Sequence, residues 1–194
     1  MRICVYGAAS NKIDDIYFSK CEQLGYELAK RGHSLVYGAG AGGLMGATAR
    51  GFKKAGGDVH GVIPKFFEEN GYEAVFYSAD KLTRTETMEE RKAIMEREAE
   101  AFIIVPGGIG TLDEFYQILT LKQLGRFDKA IAVYNINGYY DKTEEVIKHY
   151  MKEGFINFEC EKLYKILDNL DDVIKYVEKY SGKEIEWDYL KKTD

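Results

Sequence analysis

Short apolar runs alternate along this chain with longer stretches in which apolar residues recur every three or four positions. The first run, Arg2 to Tyr6, reads as a strand that turns at Gly7. After it, a helical period places Tyr17, Cys21, Leu24 and Leu28 on one face, and Gly32-His33 ends the helix. Ser34 to Tyr37 forms a second strand, Leu44 to Ala55 a second helix, and Val59 to Ile63 a third strand closed by Pro64. Lys65 to Ala79 is aromatic and without a period, as expected of a lid or a loop bordering a pocket. A short strand at Leu82 to Thr85 and a helix opening at Thr87 follow. Ala101 to Val105 is apolar and β-branched throughout, the pattern of a central parallel strand covered on both faces. A helix from Thr111 and a strand from Lys129 to Tyr134 come next. A further helix, capped by Asp141 with Glu144, carries Val146, Ile147, Tyr150 and Met151 on its apolar face. A strand from Leu163 to Leu167 and a helix with Val173, Val177 and Tyr180 complete the order. Alternating β and α elements predict an α/β, Rossmann-like doubly wound parallel sheet with helices on both faces, one domain spanning residues 1–194.

The run from Val105 to Glu114, VPGGIGTLDE, stands out against that frame. Pro106 ends the strand, and Gly107, Gly108 and Gly110 let the backbone approach a ligand with no Cβ in the way. The helix that follows offers unpaired N–H groups and a partial positive charge, a ready site for an anion. Thr111 either caps that helix, with Glu114 closing a T-x-x-E capping box, or gives its hydroxyl to a phosphate oxygen. Both readings remain open on spacing alone. The helix feeding the preceding strand opens with a second capping box, Thr87 with Glu90. It also puts Arg91 and Lys92 near its start, where the macrodipole disfavours cations. Most charge pairs are solvated surface. Two cations at the unfavourable helix end, just upstream of a candidate anion loop, would nonetheless suit a phosphorylated substrate.

A third glycine loop, Gly38 to Gly43, satisfies G-x-G-x-x-G, and Asp58 follows it near the spacing of dinucleotide-binding units. Two features count against that reading. The loop follows the second strand instead of the first, and Asp58 stands at the start of the next strand, where the ribose-binding acid belongs at its far end.

Composition narrows the field further. A net charge of −5 with no basic cluster argues against nucleic acid or an anionic membrane as the main partner. Cys4, Cys21 and Cys160 are odd in number and lack a C-x-x-C spacing, so neither a disulfide framework nor a zinc site is indicated; they read as reduced core thiols. No apolar run is long enough to span a bilayer, and the chain starts in a strand with no leader, so the cytoplasm is the expected compartment. His33, His60 and His149 are scattered, and none precedes a lysine as a pyridoxal-phosphate Ser-x-His-Lys setting would require. The G-x-S-x-G elbow of a serine hydrolase is also missing.

Several of these motifs in one order carry a family resemblance. M-x-x-R-K-x-x-M from Met88, P-G-G-x-G-T-x-x-E from Pro106, Gln123-Leu124-Gly125, and Asn135-x-x-Gly138-Tyr139-Tyr140-Asp141 resemble the LOG (Lonely Guy) family. Its members are often labelled lysine decarboxylase-like. The likeness extends upstream through the glycines from Gly38 to Gly46 and through Gly61-Val62-Ile63-Pro64, covering most of the chain. It implies a cytokinin riboside 5′-monophosphate phosphoribohydrolase, acting as a homodimer with sites at the interface and needing no metal or organic cofactor. The implied catalytic pair is Glu114 and Arg91. Implied substrate contacts are Lys92, Gly107, Gly108, Gly110, Thr111 and Thr120, together with Met88 and the upstream Gly7 and Gly43. The aromatics Phe66, Phe67, Tyr72 and Phe76 either border the dimer contact or pack in the core.

The chain departs from that pattern at several points. The family usually has serines in the first turn, where this chain has Ala8 and Ala9, and a glycine where it has Ala39. After Leu-Gly the family usually shows histidine, then lysine and proline, whereas this chain reads Arg126-Phe127-Asp128-Lys129-Ala130. The expected reaction is hydrolysis of the N-glycosidic bond of a purine nucleoside 5′-monophosphate. The competing expectation is a noncatalytic nucleotide or phosphorylated-cofactor carrier on the same fold.

Overall fold

The computed structural model describes residues 1–182; residues 183–194, the end of the expected single unit, lie outside the described part. Seven strands form one sheet, all parallel: β1 (Arg2–Tyr6), β2 (Ser34–Tyr37), β3 (Val59–Pro64), β4 (Lys81–Thr85), β5 (Ala101–Ile104), β6 (Ala130–Tyr134) and β7 (Lys165–Leu167). Their spatial order is β4-β3-β2-β1-β5-β6-β7. Strand order therefore reverses between β1 and β5, which pair directly through Cys4 with Phe102 and Tyr6 with Ile104. Doubly wound sheets open a crevice at that point, outside the carboxyl ends of the strands.

Alternation along each central strand builds two cores. Ile3 and Val5 of β1, Ile103 of β5 and Ala132 of β6 face one side, under α1 (Asp15–Lys30), α2 (Gly43–Lys54) and α7 (Leu170–Lys179). Cys4, Tyr6, Phe102, Ile104 and Val133 face the other, under α4 (Met88–Glu98), α5 (Ile109–Gln123) and α6 (Asp141–Lys152). All three cysteines are buried and free. No helix among the described residues is long and apolar enough to cross a membrane.

Helix α1 and helix α2 approach so closely that glycine is required on each. A Cβ on Gly25 would lie 2.1 Å from the Thr48 carbonyl oxygen, and one on Gly51 would lie 2.1 Å from that of Glu22. Neither glycine is at a helix end or a turn, so nothing in the linear pattern marks it. Across the sheet, His60 of β3 is a packing residue: its ring bonds Glu98 at the end of α4 and Thr83 of β4, both at 2.8 Å.

Several element boundaries differ from those expected. The helix expected from Thr111 begins two residues earlier, with Gly108 as its cap residue and no side-chain cap. Thr111 is thus inside the first turn, and the Thr111–Glu114 capping box does not form. The Thr87 cap does form, its hydroxyl accepting from the Glu90 N–H at 3.1 Å. Asp141 does not cap α6 either: Tyr140 is the cap residue, and the Asp141 carboxylate accepts from Asn135 Nδ2 at 2.8 Å. On that helix Ile147 and Met151 are buried, while Val146 and Tyr150 face outward. Residues Phe158–Leu163 form a 3-10 helix, so the last strand starts at Lys165 instead of Leu163. The stretch expected to be irregular contains one short helix, α3 (Lys65–Glu69). Beyond it the segment is held to the loop after β2 by Phe76 N–H to Ala39 O at 2.9 Å and Ala41 N–H to Ala74 O at 2.7 Å.

Gly25→Ala is expected to destabilise the fold by about 1–3 kcal/mol, the usual range for overpacking. Urea denaturation reads the change directly; an unaltered midpoint would show that the α1–α2 contact can relax.

Candidate active site

The loops after β1 and β5 converge at the switch point. Ala8 N–H donates to Pro106 O at 3.0 Å, and a Cβ on Gly7 would lie 2.4 Å from a Val105 methyl, so the first loop admits only glycine there. Two tyrosines hold the second loop from behind. Tyr139 Oη donates to Gly107 O and Tyr140 Oη to Val105 O, each at 2.8 Å. Those rings are themselves set by Asn135, which accepts from Tyr140 N–H at 2.7 Å and donates to Asp141 and Asp168 at 2.8 Å. The tight turn at Asn137 and Gly138, with φ of 60° and 71°, feeds them into place.

The glycines of the loop divide by role. A Cβ on Gly107 would lie 2.1 Å from Thr111 Oγ1, so this glycine permits the close turn onto the helix. Gly108 and Gly110 face open space. The first backbone bond into α5 is Leu112 N–H to Gly108 O at 3.0 Å. The N–H groups of Ile109, Gly110 and Thr111 therefore open the helix without intrahelical acceptors, and the dipole adds positive potential there.

A cavity of about 370 Å³ adjoins this helix start, bounded also by Gly7, Ala8, Ala9 and Ser10 and by Met45, Phe67, Glu73 and Met88. Gly108, Gly110, Thr111, Asp113, Glu114 and Arg91 complete it. Glu114, one turn into α5, is only 8% exposed, and its carboxylate has no hydrogen-bond partner among the described residues. Burial pushes its pKa up to about 7; the Arg91 cation opposes that rise and Asp113 adds to it.

Arg91 is equally enclosed, at 4% exposure. Its Nε donates to Val62 O at 3.1 Å and its Nη2 to Gly38 O at 2.9 Å, so the guanidinium is fixed across the ends of β2 and β3. The Phe67 ring lies 5.5 Å from it. A Cβ at Gly38 would lie 1.8 Å from Nη2, which is why the chain turns on glycine there. No carboxylate pairs with this cation among the described residues. An acid and a base that share one enclosed space without joining are available to a third group.

The other expected contacts scatter. Gly7, Gly108, Gly110, Thr111 and Met88 line the cavity, while Gly107 lies behind it. Lys92 is outside the lining and pairs at 3.0 Å with Asp113, which is inside it. Gly43 is committed to the scaffold: its φ is 57°, its N–H donates to Asn11 Oδ1 at 2.8 Å, and a Cβ would lie 2.1 Å from Ala8 O. Thr120 is exposed on α5, its hydroxyl donating to Tyr116 O at 2.8 Å, and it does not border the cavity. The aromatics of the irregular stretch also separate, Phe67 reaching the site while Tyr72 is exposed and Phe76 packs on the core.

Sequence reasoning passed over Glu73, Met45 and Ser10. Glu73 sits in the aperiodic stretch; one of its oxygens is buried with no partner, and burial raises its pKa while Arg91 lowers it. Only an acid amid aromatics marked it, and that is no pattern.

A doubly wound α/β protein with a helix-start anion cradle and a buried acid beside it is the class these features define. The comparisons give the family. Residues 45–177 match the model of the family described as possible lysine decarboxylase. The chain is 35% identical over 180 residues to a probable cytokinin riboside 5′-monophosphate phosphoribohydrolase of Oryza sativa subsp. japonica, covering 93% of this chain and 80% of that one. With the cytokinin riboside 5′-monophosphate phosphoribohydrolase of Arabidopsis thaliana it shares 34% over 182 residues, 94% and 84% of the two chains. The chain belongs to this LOG family of possible lysine decarboxylases. Among solved structures, the molybdenum cofactor carrier protein of Chlamydomonas reinhardtii superposes with a TM-score of 0.70 at 20% identity, covering 92% of this chain and 96% of that one. That likeness shows the fold alone.

The acid's environment has a stability consequence. A buried carboxyl whose pKa rises from 4.5 to about 7 costs stability progressively as pH climbs through that window, about 3 kcal/mol in all. Glu114→Gln is therefore expected to melt at a higher temperature than the parent at pH 8, the gap closing as pH falls toward 5. An equal or lower melting temperature at pH 8 would mean the carboxylate is better solvated than the cavity geometry implies.

Proposed function

We propose that this protein hydrolyses the N-glycosidic bond of purine nucleoside 5′-monophosphates, N6-modified adenosine monophosphates included, to give free base and ribose 5-phosphate. The observation carrying this reading is the buried Glu114, without a hydrogen-bond partner among the described residues, one turn inside the helix whose opening residues Gly110 and Thr111 line the same cavity. A phosphate on the N–H groups of Ile109, Gly110 and Thr111 would anchor the ribose beside that acid. As the bond to the base breaks, positive charge gathers on the sugar ring. The Glu114 carboxylate stabilises it and draws a proton from the attacking water.

Arg91, tied down by two carbonyls, keeps its remaining N–H groups on an inflexible mount from which to orient Glu114 or a sugar hydroxyl. Met45, Phe67 and Met88 supply apolar and aromatic surface for a purine. Lys92 acts at one remove, holding Asp113 at the cavity wall. The names of the plant relatives support the same activity.

The chain works as a homodimer in this reading. Ile109 and Tyr116, two turns apart on α5, are exposed, Ile109 at 88%, and Val146 and Tyr150 of α6 are exposed as well. Such an apolar stripe on the helix carrying Glu114 fits an isologous contact.

Four measurements test these statements. Incubation with adenosine monophosphate and its N6-isopentenyl derivative should release free base, while binding without release would favour a carrier. Glu114→Gln and Arg91→Ala should each lose about 10²–10⁴-fold in turnover while staying folded, and near-parental turnover in either would remove that residue from the mechanism. The parent's kcat/KM should climb with pH through about 7 as Glu114 ionises, and a fall over that range would make it the proton donor instead. Light scattering on a sizing column should give twice the 22.1 kDa chain mass; a monomer would leave the α5 stripe without its proposed partner.

A further inference from the structure

Behind the glycine loop lies a second cavity that the reaction does not use. It measures about 150 Å³ and is lined by Ile13, Tyr17, Pro106 and Tyr139, with Gly107 at its floor. Ala8, Ser10 and Gly108 border both this pocket and the candidate active site, so the two lie side by side with only these three residues between them. Apart from the Ser10 hydroxyl, the side chains on this side are apolar or aromatic. The Tyr17 and Tyr139 rings stand edge to face, 6.2 Å apart at 79°, and the Tyr139 hydroxyl is already engaged by Gly107 O. Ala8 contributes only a methyl group to the shared wall.

We infer that this side pocket receives an aromatic ring joined through the 5′ phosphate, so that the site accepts nucleotide phosphodiesters as well as monoesters. The inference rests on the phosphate position given under the proposed function. With the phosphate at the start of α5 and the sugar directed to Glu114, a substituent on a remaining phosphate oxygen lies beside Gly108, Ala8 and Ser10, the shared border, with the side pocket next to it. An apolar cavity of about 150 Å³ is known to be large enough for benzene. Two tyrosine rings at right angles give such a ring both a face and an edge to meet. A phosphodiester keeps one negative charge for the opening amides of α5, so the cradle still holds it.

Two esters of adenosine monophosphate, methyl and phenyl, carry the same charge and differ only in what would enter the pocket. Calorimetric titration of the protein should show the phenyl ester binding at least about tenfold tighter than the methyl ester. The ratio should fall to near one in Ile13→Trp, whose indole fills the pocket, and shrink in Tyr17→Ala, which removes one ring; the second variant serves if the first does not fold. Equal binding of the two esters by the parent, or a ratio unchanged in the folded variants, overturns the inference. Base release from adenosine monophosphate in the same preparation separates the two readings. Release with a ratio near one keeps the hydrolase and loses the side pocket, and a tenfold ratio without release does the reverse. Binding of neither ester overturns the inference, and base release from adenosine monophosphate alone then decides the hydrolase reading.

Discussion

A carboxyl group buried against its own solvation preference is the constraint around which this structure is arranged. Glu114 has no hydrogen-bond partner among the described residues and an elevated pKa, so the fold holds it in place through its surroundings. The support is steric and hydrogen-bonded. Helix α5 cannot shift, because Gly107 is pressed on Thr111 and the strand before it is pinned by Tyr140 on the Val105 carbonyl. Arg91 cannot swing across to neutralise the acid, because the carbonyls of Gly38 and Val62 hold the guanidinium. A site kept under-satisfied in this way has interaction energy in reserve for the ligand of the proposed function.

Seen from that constraint, the family motifs sort into mounts and faces. Asn135, Tyr139 and Tyr140 are mounts: a hydrogen-bonded turn at the end of β6 whose two phenols grip the neighbouring loop. Gln123-Leu124-Gly125 is the stop of α5, with Gly125 at a φ of 65° and its N–H on Lys122 O. Gly38 and Gly43 serve the scaffold through close approach to Arg91 and to Ala8. Gly108, Gly110, Glu114 and Arg91 are the faces. Recurrence of a residue in a motif is thus compatible with either duty, and only contact geometry tells them apart.

The sheet itself carries little functional information. The molybdenum cofactor carrier protein of Chlamydomonas reinhardtii has a similar fold. What the fold supplies is the crevice between β1 and β5, where two loops can meet. Chemistry then depends on the side chains that line it.

Local signals in the sequence determined the seven strands, the alternation of helices and the glycine loop, because period, β-branching and glycine or proline punctuation act over a few residues. The family membership was legible for the same reason, as several short patterns in one order. Tertiary structure decided the rest. Whether Thr111 caps a helix depends on where α5 starts, and that start lies at Ile109 with Gly108 as the cap residue and Gly107 close against Thr111. Glu73 enters the site, and Gly25 and Gly51 must be glycine, because segments distant in the chain come within touching distance. The elevated pKa of Glu114 follows from desolvation by residues of several separate elements. Such effects scale with three-dimensional proximity, which a linear string of residues does not encode one neighbour at a time.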